Sequence, residues 1–308
     1  MVFRVLAITI LLTSLCYGVI IADPTGASHT SPPPDDPGFY NVGTIVGQGS
    51  GIYLGNFGGE YWVLTANHVG GGTFFNHQTS TSHTMVSGSY VQLLNPDSSP
   101  TDLGMFRIST DPGLPTLAIS STTASTGSAY VMTGAGRQQE AGQTTWDASW
   151  VEGGAPTAYT GYKYQSPASY PLAYGTNNLD GTLYVNIGGL MVHSIYMDYD
   201  SPSGSPDYEG VGATGDSGGA IFYKNGGSWE LAGVMLAVAT FVGQPANTAV
   251  FGNTTFAADL SFYRSQILAT VPEPRSWLMF CIGVVFAVCT LRRRRALATA
   301  KIRDHSRR

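Results

Sequence analysis

Three residues of this chain have the types and the order needed to turn a hydroxyl into a nucleophile. His68 stands in GEYWVLTANHVGGG, where an apolar run ends in a turn. Asp102 stands in SSPTDLGMFRIS, immediately before an alternating apolar run, and Ser217 stands in ATGDSGGAIF. A serine hydroxyl is a poor nucleophile until an imidazole takes its proton. The imidazole in turn needs a buried carboxylate to fix its tautomer and stabilise its charged form. Glycines beside the serine let a substrate approach closely and let backbone N–H groups aim at a developing oxyanion. Each residue alone is ordinary, since lone histidines are mostly structural and aspartate is common at strand starts. Their order, with glycines after both the histidine and the serine, is what points to chemistry. Asp97 and Asp111 stay open as alternative carboxylates, placed less favourably because neither directly precedes the strand. His77, His83 and His193 show no metal-ligand spacing, so no metal or cofactor is expected. The acidic pairs Asp198/Asp200 and Asp207/Glu209 read as turns, with calcium binding a weaker alternative.

Such residues must be positioned by strands. From Asn41 onward the chain runs through GSGIYLG, YWVLTANHV, MVSGSYVQLL, LGMFRIS, SAYVMTGAG, GTLYVNIGG, HSIYMDYD, GGAIFY and WELAGVMLAVA. These runs are rich in Val, Ile, Tyr, Phe and Thr and bounded by Gly, Asn, Asp or Pro, which predicts an all-β body of sandwich or barrel type. A terminal helix near Leu260–Leu268 is the one exception. Residues 23–40 read as an irregular surface segment. The stretch Glu140–Pro171, with Trp146, Trp150, Tyr159, Tyr162, Tyr164 and Tyr170, reads as a long surface loop, with substrate binding as the lesser alternative.

The ends carry addresses rather than fold. Residues 1–18 hold one early positive charge, the apolar LAITILLTSL and then small residues, the layout of a secretory signal peptide; residue 22 is a second possible end. Val271–Pro274 (VPEP) precedes an apolar run over residues 276–291 and then Arg292–Arg295. The run is somewhat short for a span of about 20 residues, and the arginines place the tail 296–308 in the cytoplasm. Between the ends, residues 19–271 contain five Lys and Arg against eighteen Asp and Glu, a formal charge of −13. A body this acidic is repelled by nucleic acid and anionic lipid, which excludes nucleic acid as a partner. The three cysteines, Cys16, Cys281 and Cys289, all lie in the end segments. The body therefore has no disulfide and no thiolate chemistry.

Two resemblances follow from these motifs. The VPEP, short apolar span and arginine cluster together resemble the PEP-CTERM sorting signal of Gram-negative bacteria. This implies export, transient membrane anchoring through residues 271–295, and an exosortase-type sorting peptidase as a partner. The body resembles the trypsin-like (chymotrypsin-fold) serine proteases through GSGIYL, WVLTANHV, DLGMFRI, VMTGAGR, GDSGGAIF and LAGVML, spread over most of residues 41–240. That resemblance implies two six-stranded antiparallel β-barrels, 19–122 and 123–270, with the active site between them. It also implies a peptide substrate, His68 as general base, Asp102 as its orienting partner and Ser217 as nucleophile. The oxyanion hole would be the N–H groups of Gly215 and Ser217. The base of the primary pocket would fall at Val211, which carries no charge and so suggests an apolar or small side chain. An activating ion pair would join a new amino terminus at Val19 to Asp216. A reading from another class is a catalytically silent surface-binding or exopolysaccharide-associated protein on the same scaffold.

Overall fold

Three Gly-Gly pairs fold this chain back on itself. Gly58-Gly59, Gly188-Gly189 and Gly226-Gly227 all have positive φ at both residues (64/93, 59/91 and 56/93°). A two-residue turn of this hand matches the twist of the strands it joins, and only glycine takes both positions without strain. Asn56 and Asn186 each accept a hydrogen bond from the second glycine of their turn at 2.9 Å. Glycine placement thus shapes three hairpin turns through local backbone conformation.

The computed structural model describes residues 18–23, 29–165, 170–201 and 208–271; most of the expected leader and everything after Val271 lie outside them. The first half holds strands β1 (Ile20–Ile21), β2 (Val42–Ile45), β3 (Gly49–Phe57), β4 (Glu60–Ala66), β5 (Phe74–Asn76), β6 (Thr81–His83), β7 (Val91–Leu94) and β8 (Pro100–Ile108). Next come β9 (Ala129–Gly134), β10 (Gln138–Gln139), β11 (Thr144–Asp147), β12 (Thr157–Gln165), β13 (Ala173–Asn178), β14 (Gly181–Ile187) and β15 (Leu190–Asp198). The chain then forms β16 (Gly210–Val211), β17 (Ala220–Asn225), β18 (Ser228–Ala239), β19 (Thr248–Val250), β20 (Thr254–Asp259) and helix α1 (Leu260–Thr270).

The architecture is all-β. Two curled antiparallel sheets dominate, ordered β6-β5-β2-β3-β4-β8-β7 and β13-β9-β17-β18-β20-β15-β14. Each has seven strands where six were expected. The two lobes share one apolar core, in which Leu103 and Phe106 of β8 join Leu231 and Val234 of β18. A smaller sheet, in which β12 pairs with β10, β11 and β19, stands beside the second lobe. The aromatic stretch 140–171 is therefore largely a strand pair rather than a loop, with Trp146 and Tyr162 fully buried.

Both ends of the described chain cross between lobes. Residues 19–22, expected in the first barrel, instead pair with the second: Ile20 lies opposite Val211 and Ile21 opposite Gly210. Burial explains the choice, because Val19, Ile20 and Ile21 are all at most 3% exposed there. Helix α1 starts at Asp259, whose carboxylate accepts from Ser261 N–H and so satisfies a free N-terminal donor. It reaches back to the first lobe, where Tyr263 hydroxyl donates to Asn95 and Gln266 accepts from Leu94 N–H.

Candidate active site

Strands β4 and β8 are hydrogen-bonded neighbours with Ala66 opposite Leu103. The end of β4 therefore lies beside the start of β8. Asn67 N–H continues the ladder to Asp102 O at 3.2 Å, and the chain then turns, with Val69 N–H returning to Ala66 O. His68 is thus carried over the Asp102 side chain. Asp102 lies inside β8 rather than ahead of it, and its side chain is 1% exposed against 46% for His68. One carboxylate oxygen accepts from His68 backbone N–H at 2.8 Å, and the other from His68 Nδ1 at 2.7 Å. A carboxylate only accepts, so this contact puts the ring proton on Nδ1 and leaves Nε2 as the acceptor facing the cleft. Asn67 accepts from the Tyr90 hydroxyl, whose pKa burial and the Asp102 charge push up to about 12. Tyr90 packs where Gly104 has no side chain.

The alternatives are engaged elsewhere. Asp97 accepts from Ser99, and Asp111 accepts from Tyr53 and Gly113 N–H. His83 is held by Thr81 and Thr110, and His193 stands 3.5 Å from Asp259. Among the described residues no three His, Cys, Asp or Glu side chains form a metal-binding group.

Ser217 sits in the turn between β16 and β17 and lines the same cleft as His68. Its neighbours fix that turn. Gly218 has φ +86°, and a Cβ there would stand 2.0 Å from Ser50 O. Ser50, on β3 of the first lobe, clamps the loop: its N–H donates to Ser217 O at 2.8 Å and its hydroxyl to Gly215 O at 2.9 Å. The same hydroxyl accepts from Ala135 N–H at 2.9 Å, and Thr65 hydroxyl donates to Ser50 O. The sequence reading passed over Ser50, Thr65 and Tyr90, because nothing local distinguishes them from ordinary strand residues.

The N–H groups of Gly215 and Ser217 donate to nothing among the described residues. Their directions follow from the peptides that contain them. Thr214 O is held by Arg137 N–H at 2.9 Å, and Asp216 O by Gly219 N–H at 2.8 Å. In a trans peptide the C=O and N–H point opposite ways, so each of these N–H groups points away from the donor that anchors its carbonyl. The Ser217 hydroxyl itself donates to Leu236 O at 3.3 Å, and no hydrogen bond joins it to His68.

Beside Ser217 opens a cavity of about 430 Å³ walled by Ala213, Met235, Ala237, Val238, Ala249 and Thr255. Val211 is not among the wall residues. It is fully buried one layer behind, packed with Ile20 and Tyr162. Asp216 turns away from the cleft into the core, where Ala213 N–H donates to one carboxylate oxygen at 2.8 Å. The backbone amides of Val19 and Gly136 face the same carboxyl, yet Oδ1 takes no hydrogen bond of good geometry. Burial pushes this carboxyl up to about 7.

No protein-family model matches the chain, and no curated protein matches it. Solved structures similar to the chain include three proteases. They include the HtrA-type protease AlgW with a decapeptide, at 16% identity and a TM-score of 0.43; the match covers 73% of this chain but spans only about half (51%) of AlgW. They also include Rv3671c of M. tuberculosis H37Rv, at 15% identity and TM-score 0.44, covering 78% of this chain and 94% of that one. A third is the NS6 protease of murine norovirus 1, at 16% identity and TM-score 0.36, covering 74% and 93%.

Proposed function

We propose that the protein is an exported serine endopeptidase. What supports this is that the hydrogen-bonded His68–Asp102 pair and Ser217 belong to one cleft, beside the undonated N–H groups of Gly215 and Ser217. In this reading His68 Nε2 removes the Ser217 proton as Oγ attacks a substrate carbonyl. The oxyanion is received by the N–H groups of Gly215 and Ser217. The protonated imidazole then gives its proton to the leaving amine, and a water repeats the sequence to release the acyl group. The cavity walls carry no lysine or arginine; Ala213, Met235, Ala237, Val238 and Ala249 share them with Thr248, Asn253 and Thr255, a mixed lining that favours an uncharged, small or apolar side chain beside the scissile bond.

The same reading gives Val19 a role. Removal of a leader after Gly18 would convert the buried Val19 amide into an ammonium beside Asp216, so that export completes the site. The VPEP segment and the apolar and basic residues behind it support sorting by an exosortase-type peptidase at a Gram-negative envelope. Among the described residues no helix is long and apolar enough to cross a membrane, and residues 276–291 lie outside them.

One observation favours a catalytically silent scaffold: the Ser217 hydroxyl is donated to Leu236 rather than to His68. Labelling of the exported protein with a fluorophosphonate probe separates the two readings. The peptidase reading expects labelling that disappears in both Ser217→Ala and His68→Ala; an unlabelled protein whose intact mass begins at Val19 would refute it. The same mass spectrum reads the C-terminus, expected near Pro272–Pro274 if sorting includes cleavage.

A further inference from the structure

An exposed apolar surface lies beside the cleft, next to Thr240 of its lining. Trp150, in the turn between β11 and β12, stacks on Tyr159 with ring centroids 4.0 Å apart and planes 8° from parallel. Phe241, from the loop after β18, closes on Tyr159 at 5.2 Å and on Trp150 at 6.2 Å. Buried Trp146 stands behind Trp150 at 6.4 Å. Trp150 Nε1 donates to Val242 O at 3.0 Å, tying the two loops into one ledge. Yet its outer face is open: Phe241 is 36% exposed, Val151 55% and Val242 99%. Trp150 also holds φ +65°, a conformation unfavourable for a bulky residue. Contiguous apolar exposure of this kind on a soluble domain marks a binding surface.

The strand that leads to the ledge says what would occupy it. Up to Met235, β18 is flanked on both sides. Val234 pairs with Ala220 of β17, and Met235 exchanges backbone bonds with Gly219 and Gly218. From Ala237 to Ala239 only β20 accompanies it, as Ala237–Phe256, Val238–Thr255 and Ala239–Thr254. The other edge is free among the described residues, and Leu236, Ala237, Val238 and Thr240 line the cleft. A free strand edge accepts an extended peptide by backbone hydrogen bonding. The lobe's own pairs are all antiparallel, so an added strand of the same sense would run toward Ser217. Its residues N-terminal to the scissile bond would then lie along β18. Leu236 marks the reaction centre through its contact with Ser217. Phe241 is five residues further, two past the end of β18, so at most about 16 Å away at the usual rise of a strand.

Resting on the peptidase reading, we propose that the Trp150–Tyr159–Phe241 ledge is a specificity subsite. It takes an apolar, preferably aromatic, side chain four or five residues upstream of the scissile bond in an extended peptide substrate. The loop between β11 and β12 and the loop after β18 thus act together as a reader of substrate sequence beyond the primary cavity.

The test uses matched peptides differing only by Phe or Ser at the fourth and fifth upstream positions. They are cleaved by the exported protein, with rates normalised to its fluorophosphonate-reactive titre. The expected result is about tenfold higher kcat/KM for the Phe peptides, the size of a partly buried aromatic contact. That ratio should fall toward one in Phe241→Ser and in Val242→Lys. The second variant guards against misfolding, because Val242 is almost wholly in solvent. A labelled enzyme with no Phe preference, or a preference unchanged in both variants, overturns the subsite while leaving the peptidase standing. Absent labelling overturns the peptidase instead. Sedimentation showing a dimer that Val242→Lys dissolves would mean that a second copy covers the ledge, and would also overturn the proposal.

Discussion

The ammonium proposed for Val19 can be tested by stability alone, without a substrate. Compare the chain beginning at Val19 with one that keeps Tyr17-Gly18 ahead of it. In the longer form Val19 offers Asp216 only an amide, and burial holds the carboxyl near 7 instead of its ordinary 3.8. A group whose folded pKa is raised keeps its proton in the native state while the unfolded chain has already lost it. Native stability then falls as pH rises from about 4 to 7, by about 4 kcal/mol at about 1.4 kcal/mol per tenfold, and levels off above. In the Val19 form a buried ammonium stands against the carboxylate, so that loss disappears. The pair instead gives way above pH about 8, where an unfolded α-amine has lost its proton and the native one follows at its raised pKa. Urea midpoints at pH 5, 7 and 9 read both curves. Glu209, whose carboxyl burial lifts to about 8, adds the same background to each form and cancels in the difference. Parallel curves for the two forms would refute the idea that Asp216 is built to receive the new terminus.

Other perturbations test the clamp and the pair. Ser50→Ala removes one fully buried hydroxyl that serves both Gly215 O and Ala135 N–H; leaving both unpaired should cost about 2–4 kcal/mol, read by urea denaturation, and slow fluorophosphonate labelling. Gly218→Ala puts a methyl 2.0 Å from Ser50 O at φ +86°; expression of a folded protein with wild-type stability would contradict the account of that turn. Asp102→Asn should leave the fold standing while reducing kcat by about 10⁴, because the amide no longer fixes the tautomer of His68. Glu209→Gln should raise stability at pH 9 relative to pH 5, since Glu209 Oε2 is buried without a partner and its charge is disfavoured by burial and by Asp200 and Asp180. An unchanged pH dependence in that variant would place the penalty elsewhere.

The strands next to His68 and Ser217, and the one containing Asp102, were legible because each is an apolar run bounded by glycine or a polar residue. The three Gly-Gly hairpins were not expected from the sequence, although each pair sits between two apolar runs. What escaped was the polar architecture around the second lobe. Strand β12, TAYTGYKYQ, and β13, AYGTNN, carry too few aliphatic residues to register as strands; tertiary pairing with β19 and β9 makes them so. The placement of Ile20–Ile21 against β16 was hidden for the opposite reason. Two buried isoleucines beside a leader look like part of the leader, and only the partner 191 positions away gives them a sheet. Val211 fell one layer behind the cavity because register across a short strand decides facing, and spacing from Ser217 does not.

Two buried aspartates frame the candidate site, and the fold treats them differently. Asp102 has a donor on each oxygen, both from His68, so its partner is built into the neighbouring strand and needs nothing further. Asp216 is as deeply buried, but it has one firm donor and one oxygen left unpaired, with glycines at 134 and 136 packed where any Cβ would strike it. An unpaired buried carboxylate is destabilising unless a cation or a proton arrives. The groups closest to it are amides of Ala213, Val19 and Gly136, and in the proposed function the cation is the chain end that a cut before Val19 would create. In the proposed function, the carboxylate that would orient the base is complete as folded, whereas the one beside the nucleophile loop would depend on processing of the chain. A working nucleophile in the unprocessed form, with Asp216→Asn as stable and as reactive as the parent, would break that link and leave Asp216 as a structural acid alone.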